Sequence, residues 1–239
     1  MNSAWAYLTD PAHWPGYAGI GTRLAQHLAY SAATLLIAAA IGVPLGLWIG
    51  HTGRGRLLVV NLVNGMRSVP TLGLLFVAVL VLGPRIRGDL AFLAPAILVL
   101  VVLAVPPILA GAYAGVEGVD PLVRDAARGM GMSSTQVLFR VEVPCALPLI
   151  FGGLRSAALQ VVATATIAAS VGVGGLGRLL IDGQAIRDYG QMAAGALLVA
   201  ALALAVDLVF ALVQRFAVSP GLSDARRRRP RVAQSAETA

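Results

Sequence analysis

Five long apolar stretches constrain this chain more than any other feature of it. Residues 26–50, 58–83, 91–114, 146–171 and 191–215 carry few charges, and each is about as long as the ~20-residue helix that crosses the hydrocarbon core of a bilayer. Inside that core each backbone N–H and C=O must find a partner within its own segment, which a helix provides. Composition agrees. Apolar residues make up 58% of the chain and charged residues 12%, against roughly 45–50% and about 25% in soluble domains. The expected fold is all-α: a polytopic integral membrane protein with about five transmembrane helices. Residues 1–25 read as an external, interfacial segment. Trp5, Tyr7, Trp14 and Tyr17 suit the headgroup level, and no basic region precedes an apolar core as in a cleavable signal peptide. Residues 26–216 form the transmembrane domain, and 217–239 a disordered basic tail that anchors topology or touches anionic lipid.

Proline and polar residues mark where the spans depart from regularity. Pro44, between Gly42 and Gly46, predicts a kink in the first span, and Pro95, Pro106 and Pro107 predict breaks in the third. Asn61, Asn64, Arg67, Ser68 and Pro70 interrupt the first half of the second; the two asparagines suit hydrogen bonds between helices. A further helix near 173–186 is too short and polar to span. All 18 basic residues are arginine. With the N-terminus outside, Arg54, Arg56, Arg124, Arg128, Arg140, Arg215, Arg226 to Arg229 and Arg231 fall inside, 11 in all, against Arg23, Arg85, Arg87, Arg178 and Arg187, 5 in all, outside. The positive-inside rule thus puts residues 115–145 in the cytoplasm. It also accounts for the net charge of +7 without nucleic acid.

Residues 120–144 are a polar island between apolar runs. Asp120-Pro121 is a strong helix start, a side-chain acceptor followed by a fixed φ. The helix stops at Gly129 or Gly131. Ser133 with Gln136 has the form of a capping box for a second short helix, and Pro144 ends that helix and opens the next span. The expectation is two short helices around a Gly-Met-Gly turn. Asp125 and Arg128 at i,i+3 add only about 0.2–0.5 kcal/mol. Small Ala126 and Ala127 permit close approach, and the glycines permit a tight turn. A docking element for a soluble partner and a solvated connecting loop both fit these residues.

Asp125-Ala126-Ala127, Gly131 four residues later, and Val141-Glu142-Val143-Pro144 after nine more resemble the EAA loop of bacterial ABC importer permeases. Asp125, Val141 and Val143 are conservative departures from Glu, Ile and Leu. Gly118-Val119-Asp120-Pro121, Ala126 to Met132, Gly153-Leu154-Arg155-Ser156-Ala157 and Gly172-Val173-Gly174-Gly175-Leu176-Gly177 are similar to the osmoprotectant branch, which carries glycine betaine, carnitine, choline and related quaternary amines. The resemblance covers about residues 25–215. It implies the type I ABC importer permease fold in a bacterial plasma membrane, with Asp125, Ala126, Ala127, Arg128, Gly131 and Pro144 in a loop that couples to a cytoplasmic ABC ATPase dimer. ATP and Mg belong to those ATPases; this chain holds no cofactor. The other implied partners are a second permease subunit, identical or paralogous, an extracytoplasmic substrate-binding protein and membrane lipid. Met66-Arg67-Ser68-Val69-Pro70 instead resembles methionine permeases, so an importer for methionine or another amino acid is the alternative.

Other patterns carry less. Gly172, Gly174 and Gly177 satisfy Gly-x-Gly-x-x-Gly, but no βαβ unit surrounds them; a flexible external turn or gate fits better. A chain without lysine has no Walker A loop, and His13, His27 and His51 lack ligand spacing, so no metal site or catalytic residue is expected. Cys145 reads as a small buried residue. Arg67, Arg155 and Asp207 lie within spans, where a charge costs about 2.5–3.5 kcal/mol and faces a cavity or a partner. Together with Gly172, Gly174 and Gly175 they are the candidates for gate or pathway. Arg155 with Asp207 forms a candidate interhelical pair, and Asp207 motivates a second alternative, a proton-coupled secondary transporter. Mid-span aromatics are few beyond Trp48, Phe76 and Phe210, which assigns high-affinity recognition of a quaternary amine to the separate binding protein.

Overall fold

The computed structural model describes residues 4–217, apart from 58, 60, 62–64, 66–68 and 89. Among the described residues the regular elements are all helical: α1 (Ala4–Thr9), α2 (Ile20–Thr52), α3 (Thr71–Leu82), α4 (Leu90–Glu117), α5 (Pro121–Gly129), α6 (Ser134–Val137), α7 (Val143–Ala168), α8 (Gly177–Ile186) and α9 (Tyr189–Ala217). Short 3-10 turns follow α1, α3 and α7, and a π-helical turn, Leu138–Glu142, joins α6 to α7.

Four helical stretches are long and apolar enough to cross a membrane: α2, α4, the continuous run Ser134–Val171, and α9. They match four of the five expected spans, extended by a few residues at most ends. The fifth corresponds to α3, whose 12 residues reach only about 18 Å at 1.5 Å per residue. Much of its expected first half, with Asn64, Arg67 and Ser68, lies outside the described residues, as does the arginine-rich tail beyond residue 217. One expectation needs correction: α4 runs unbroken through Pro95, Pro106 and Pro107, since packed neighbours and local adjustment of the backbone let spanning helices absorb proline. α2 likewise continues through Pro44.

α4 is the centre of the bundle, with α2 and α7 both packed along it. What lets them pack so closely is the absence of side chains on one stripe. Gly42, Gly46 and Gly50 are buried on a single face of α2 at i,i+4 spacing. A Cβ on Gly46 would lie 2.6 Å from both the Leu109 carbonyl oxygen and the Ala112 Cβ. On the other side of α4, a Cβ on Gly111 would fall 2.6 Å from the Leu149 oxygen and 2.9 Å from the Gly153 Cα. In lipid, where burying apolar surface between helices gains little, contacts this close supply the dispersion attraction that holds spans together. Residues such as Ala38, Ala104, Ile108, Ala157 and Val161 fill the space around the stripe. α9 lies at the edge against α8 and α7, with α1 resting on it.

Gly46→Ala is therefore expected to lower the stability of the detergent-solubilised protein by about 1–3 kcal/mol, the usual cost of overpacking. Gly152→Ala, where a Cβ meets nothing within 4 Å, serves as the control and leaves the thermal midpoint near that of the parent.

Candidate functional site: a braced helical island and a cavity at the opposite end

The island folds as its sequence dictates. Asp120 caps α5, its carboxylate accepting from the Leu122 N–H at 2.9 Å. After Gly129 the chain turns through Gly131 at φ +86°, the left-handed region that costs glycine least. Here the Gly131 and Met132 N–H groups donate to the carbonyls of Arg128 and Ala127. Ser133 and Gln136 form the predicted capping box, with Ser133 N–H to Gln136 Oε1 at 2.8 Å and Gln136 N–H to Ser133 Oγ at 3.4 Å.

The two alanines point in opposite directions. Ala127 is buried at 2% exposure, and Ala126 is exposed. On the outer surface Ala126 is joined by Leu122, Val123, Met130 and Phe139, all exposed apolar residues on a segment otherwise rich in charge. Asp125 and Arg128 lie 3.5 Å apart, both more than half exposed, and pairs of this kind stabilise little. Pro144 does not end the second helix as expected. The π turn widens the backbone before it: the Val143 N–H reaches back to Leu138, so the proline ring escapes its usual clash with a carbonyl four residues earlier. Cys145, expected to be buried, is half-buried.

The strongest feature of the island was missed in the sequence. Glu142, in the π turn, is completely buried. One carboxylate oxygen lies 3.0 Å from Arg124 Nε on α5, and the other lies 2.6 Å from His51 Nδ1 at the C-terminal end of α2. His51 Nε2 lies 2.7 Å from Ser134 Oγ at the start of α6. A ring whose Nδ1–H donates to the carboxylate can accept from the serine hydroxyl through Nε2. Arg124 also donates to the Val116 carbonyl near the end of α4. One buried carboxylate thus ties the island to the ends of two spans. The signal was present, since Glu142 is the sole acidic residue between Asp125 and Asp182 and interrupts an apolar approach to a span.

At the other end of α2 is a cavity of about 410 Å³, lined by Tyr17, Arg23, Gln26, Tyr30, Phe92 and Arg178 together with Gly172, Val173 and Gly174. Two of the three pathway glycines, Gly172 and Gly174, therefore share one wall. The turn they belong to is fastened to α2: the Gly175 N–H donates to Gln26 Oε1 at 3.0 Å. A Cβ on Gly174 would lie 2.3 Å from that same oxygen. Arg155 and Asp207 do not line this cavity; they form the expected pair between α7 and α9, bidentate at 2.5 and 2.6 Å. Among the described residues no cluster of three or more metal-ligating side chains occurs.

Glu142→Gln keeps the shape of the buried group and removes its charge. The variant should loosen the island, because unpairing a buried ion costs about 3–5 kcal/mol. Hydrogen exchange in residues 121–137 should speed up at least about tenfold while α4 and α7 stay protected; unchanged protection would refute the bracing role.

Residues 42–218 match the family described as "Binding-protein-dependent transport system inner membrane component". The chain is 32% identical over 201 residues to the carnitine transport permease protein OpuCB of Listeria monocytogenes, covering 84% of this chain and 89% of that one. It is 34% identical over 196 residues to the choline transport system permease protein OpuBD of Bacillus subtilis, covering 82% and 83%. The osmoprotectant import permease protein OsmW of Salmonella typhimurium is 34% identical over 201 residues, covering 84% and 90%. In fold it is similar to a chain of the inward-facing MetNI methionine ABC transporter, with a TM-score of 0.69 at 22% identity over 81% of this chain and 94% of that one. With the family matched over most of its length and relatives above 30% identity along nearly all of theirs, this chain belongs to the inner-membrane permease components of binding-protein-dependent transport systems.

Proposed function

We propose that this chain is the transmembrane subunit of an ATP-driven importer of osmoprotectants, of the kind exemplified by glycine betaine, carnitine and choline. The observation that carries the reading is the extensive similarity to permeases of carnitine, choline and osmoprotectant systems. The braced island supports the assignment of mechanism. Asp125, Ala126, Arg128 and Gly131 lie on its exposed side, where a cytoplasmic ATPase can seat against the apolar residues between them. Ala127 and Glu142 lie beneath and transmit the contact to α2 and α4. The excess of arginine at this end supports an orientation with the island in the cytoplasm and the N-terminus outside.

In this reading two permease chains line the pathway and two ATPases dock on the two islands. ATP binding draws the ATPases together and shifts the islands, tilting the spans from inward- to outward-facing. Hydrolysis resets them. An extracytoplasmic binding protein delivers substrate. Arg155 and Asp207 act as an interhelical brace: a carboxylate with both oxygens engaged by one guanidinium is poorly placed to carry protons. The likeness to a methionine transporter stands at 22% identity and speaks for the fold alone.

The test is uptake of labelled glycine betaine into proteoliposomes holding this permease with its ATPase and binding protein. The proposal expects accumulation that requires ATP and is competed by choline or carnitine. Gly131→Asp places a side chain at a left-handed turn on the docking surface; it should leave the protein in the membrane and cut ATP-driven uptake at least about tenfold. Uptake at the parental rate in that variant would remove the island from the coupling path.

A further inference from the structure

The cavity at the N-terminal end of α2 combines two kinds of chemistry in its lining. Tyr30 on α2 and Phe92 on α4 present aromatic rings to it, while Arg23 and Arg178 present guanidinium groups and Gln26 an amide. The two cations are not equivalent. Arg178 Nη2 lies 2.5 Å from Asp182, one turn further along α8, so its charge is already compensated. Arg23 has no carboxylate within 4.0 Å among the described residues. It lies over the Tyr17 ring at 6.0 Å and contacts Gln26 at 3.5 Å, which leaves the donors of its planar fork available to an anion. The cavity therefore carries one uncompensated positive charge beside aromatic faces.

That combination selects a ligand class. A cation alone gains from the rings and loses to Arg23. A carboxylate alone gains from Arg23 and leaves the rings unused. A small zwitterion with a quaternary ammonium at one end and a carboxylate at the other satisfies both the rings and Arg23. The volume of about 410 Å³ lies within the roughly 300–1,000 Å³ of small-molecule sites. Glycine at 172 and 174 keeps it open. A Cβ on Gly172 would lie 3.6 Å from the Phe92 ring, in contact with it. Gly174 lets Gln26 fasten the turn that forms the wall. His51 follows Arg23 by 28 positions on the same helix (51 − 23), about 42 Å at 1.5 Å per residue, so the cavity and the island stand on opposite sides of a membrane.

We infer that this cavity is a substrate subsite within the permease itself, built for zwitterionic quaternary amines such as glycine betaine in preference to choline. The inference rests on the osmoprotectant reading and adds to it a recognition step outside the binding protein. The ligand's carboxylate pairs with Arg23, and its ammonium lies against Tyr30 and Phe92.

The test is equilibrium dialysis of labelled glycine betaine and labelled choline against the permease–ATPase complex in lipid nanodiscs, with no binding protein present. Saturable betaine binding is expected, at least about tenfold tighter than choline. Arg23→Gln should weaken betaine at least about tenfold and narrow its margin over choline; Arg23→Lys should restore much of it, and Phe92→Ala should weaken both ligands. No saturable betaine binding, or betaine and choline binding alike with no response to Arg23→Gln, overturns the subsite. Uptake by the same preparation, reconstituted with its binding protein, separates the two claims. ATP-driven betaine uptake with no cavity binding refutes the subsite and leaves the importer standing. Cavity binding with no uptake of any quaternary amine refutes the importer reading instead.

Discussion

A fully buried glutamate is costly unless its charge is met, and in this protein the way Glu142 is met decides how the island end of the bundle is built. Arg124 comes from the island and His51 from the last turn of α2, and the carboxylate lies between them at 3.0 and 2.6 Å. Desolvating such a group costs several kcal/mol when either partner is absent. An island that swung free of the bundle would leave that charge unpaired, so island and bundle favour moving together. A docking segment has to behave this way if force applied to it is to reach the spans. α2 extends the connection, because the helix whose last turn holds His51 carries Arg23, Gln26 and Tyr30 of the opposite cavity near its start.

The rest of the bundle follows from close contact. Gly42, Gly46 and Gly50 on α2, with Gly111, Gly115 and Gly153 on α4 and α7, bring backbones near enough that even one methyl group would collide at most of these positions. A bundle packed this way is stiff where the three helices meet. Its outer faces are apolar and exposed, as at Leu36, Leu80, Leu204 and Leu208, which suits lipid and a second subunit rather than water.

Much of this architecture was legible in the residues. Apolar length gave four spans, within a few residues at most ends although one run begins well before its expected start, at Ser134, and the capping signals at Asp120 and Ser133 gave both island helices, because caps are local chemistry. The pairing of Arg155 with Asp207 followed from the cost of leaving either charge alone in a membrane. Four things were not legible. The prolines of the third span signalled breaks that tertiary packing abolished in α4. Pro144 signalled a helix end, which the π turn before it made unnecessary. The glycine stripe of α2, with Pro44 between two of its members, reads as the setting of a kink, although its i,i+4 spacing is also the spacing of a packing face. His51 and Glu142 were hidden for another reason: 91 positions separate them (142 − 51), and no local pattern reports a contact of that range.

The central proposal is that the exposed side of the island receives the ATPase. Photo-crosslinking from a benzophenone attached to a single cysteine, in a Cys145→Ser background, measures this directly in the assembled complex. The account predicts that Ala126→Cys captures the ATPase subunit and that Tyr17→Cys, at the cavity end, does not. Failure to capture at position 126, or equal capture from position 17, would contradict it.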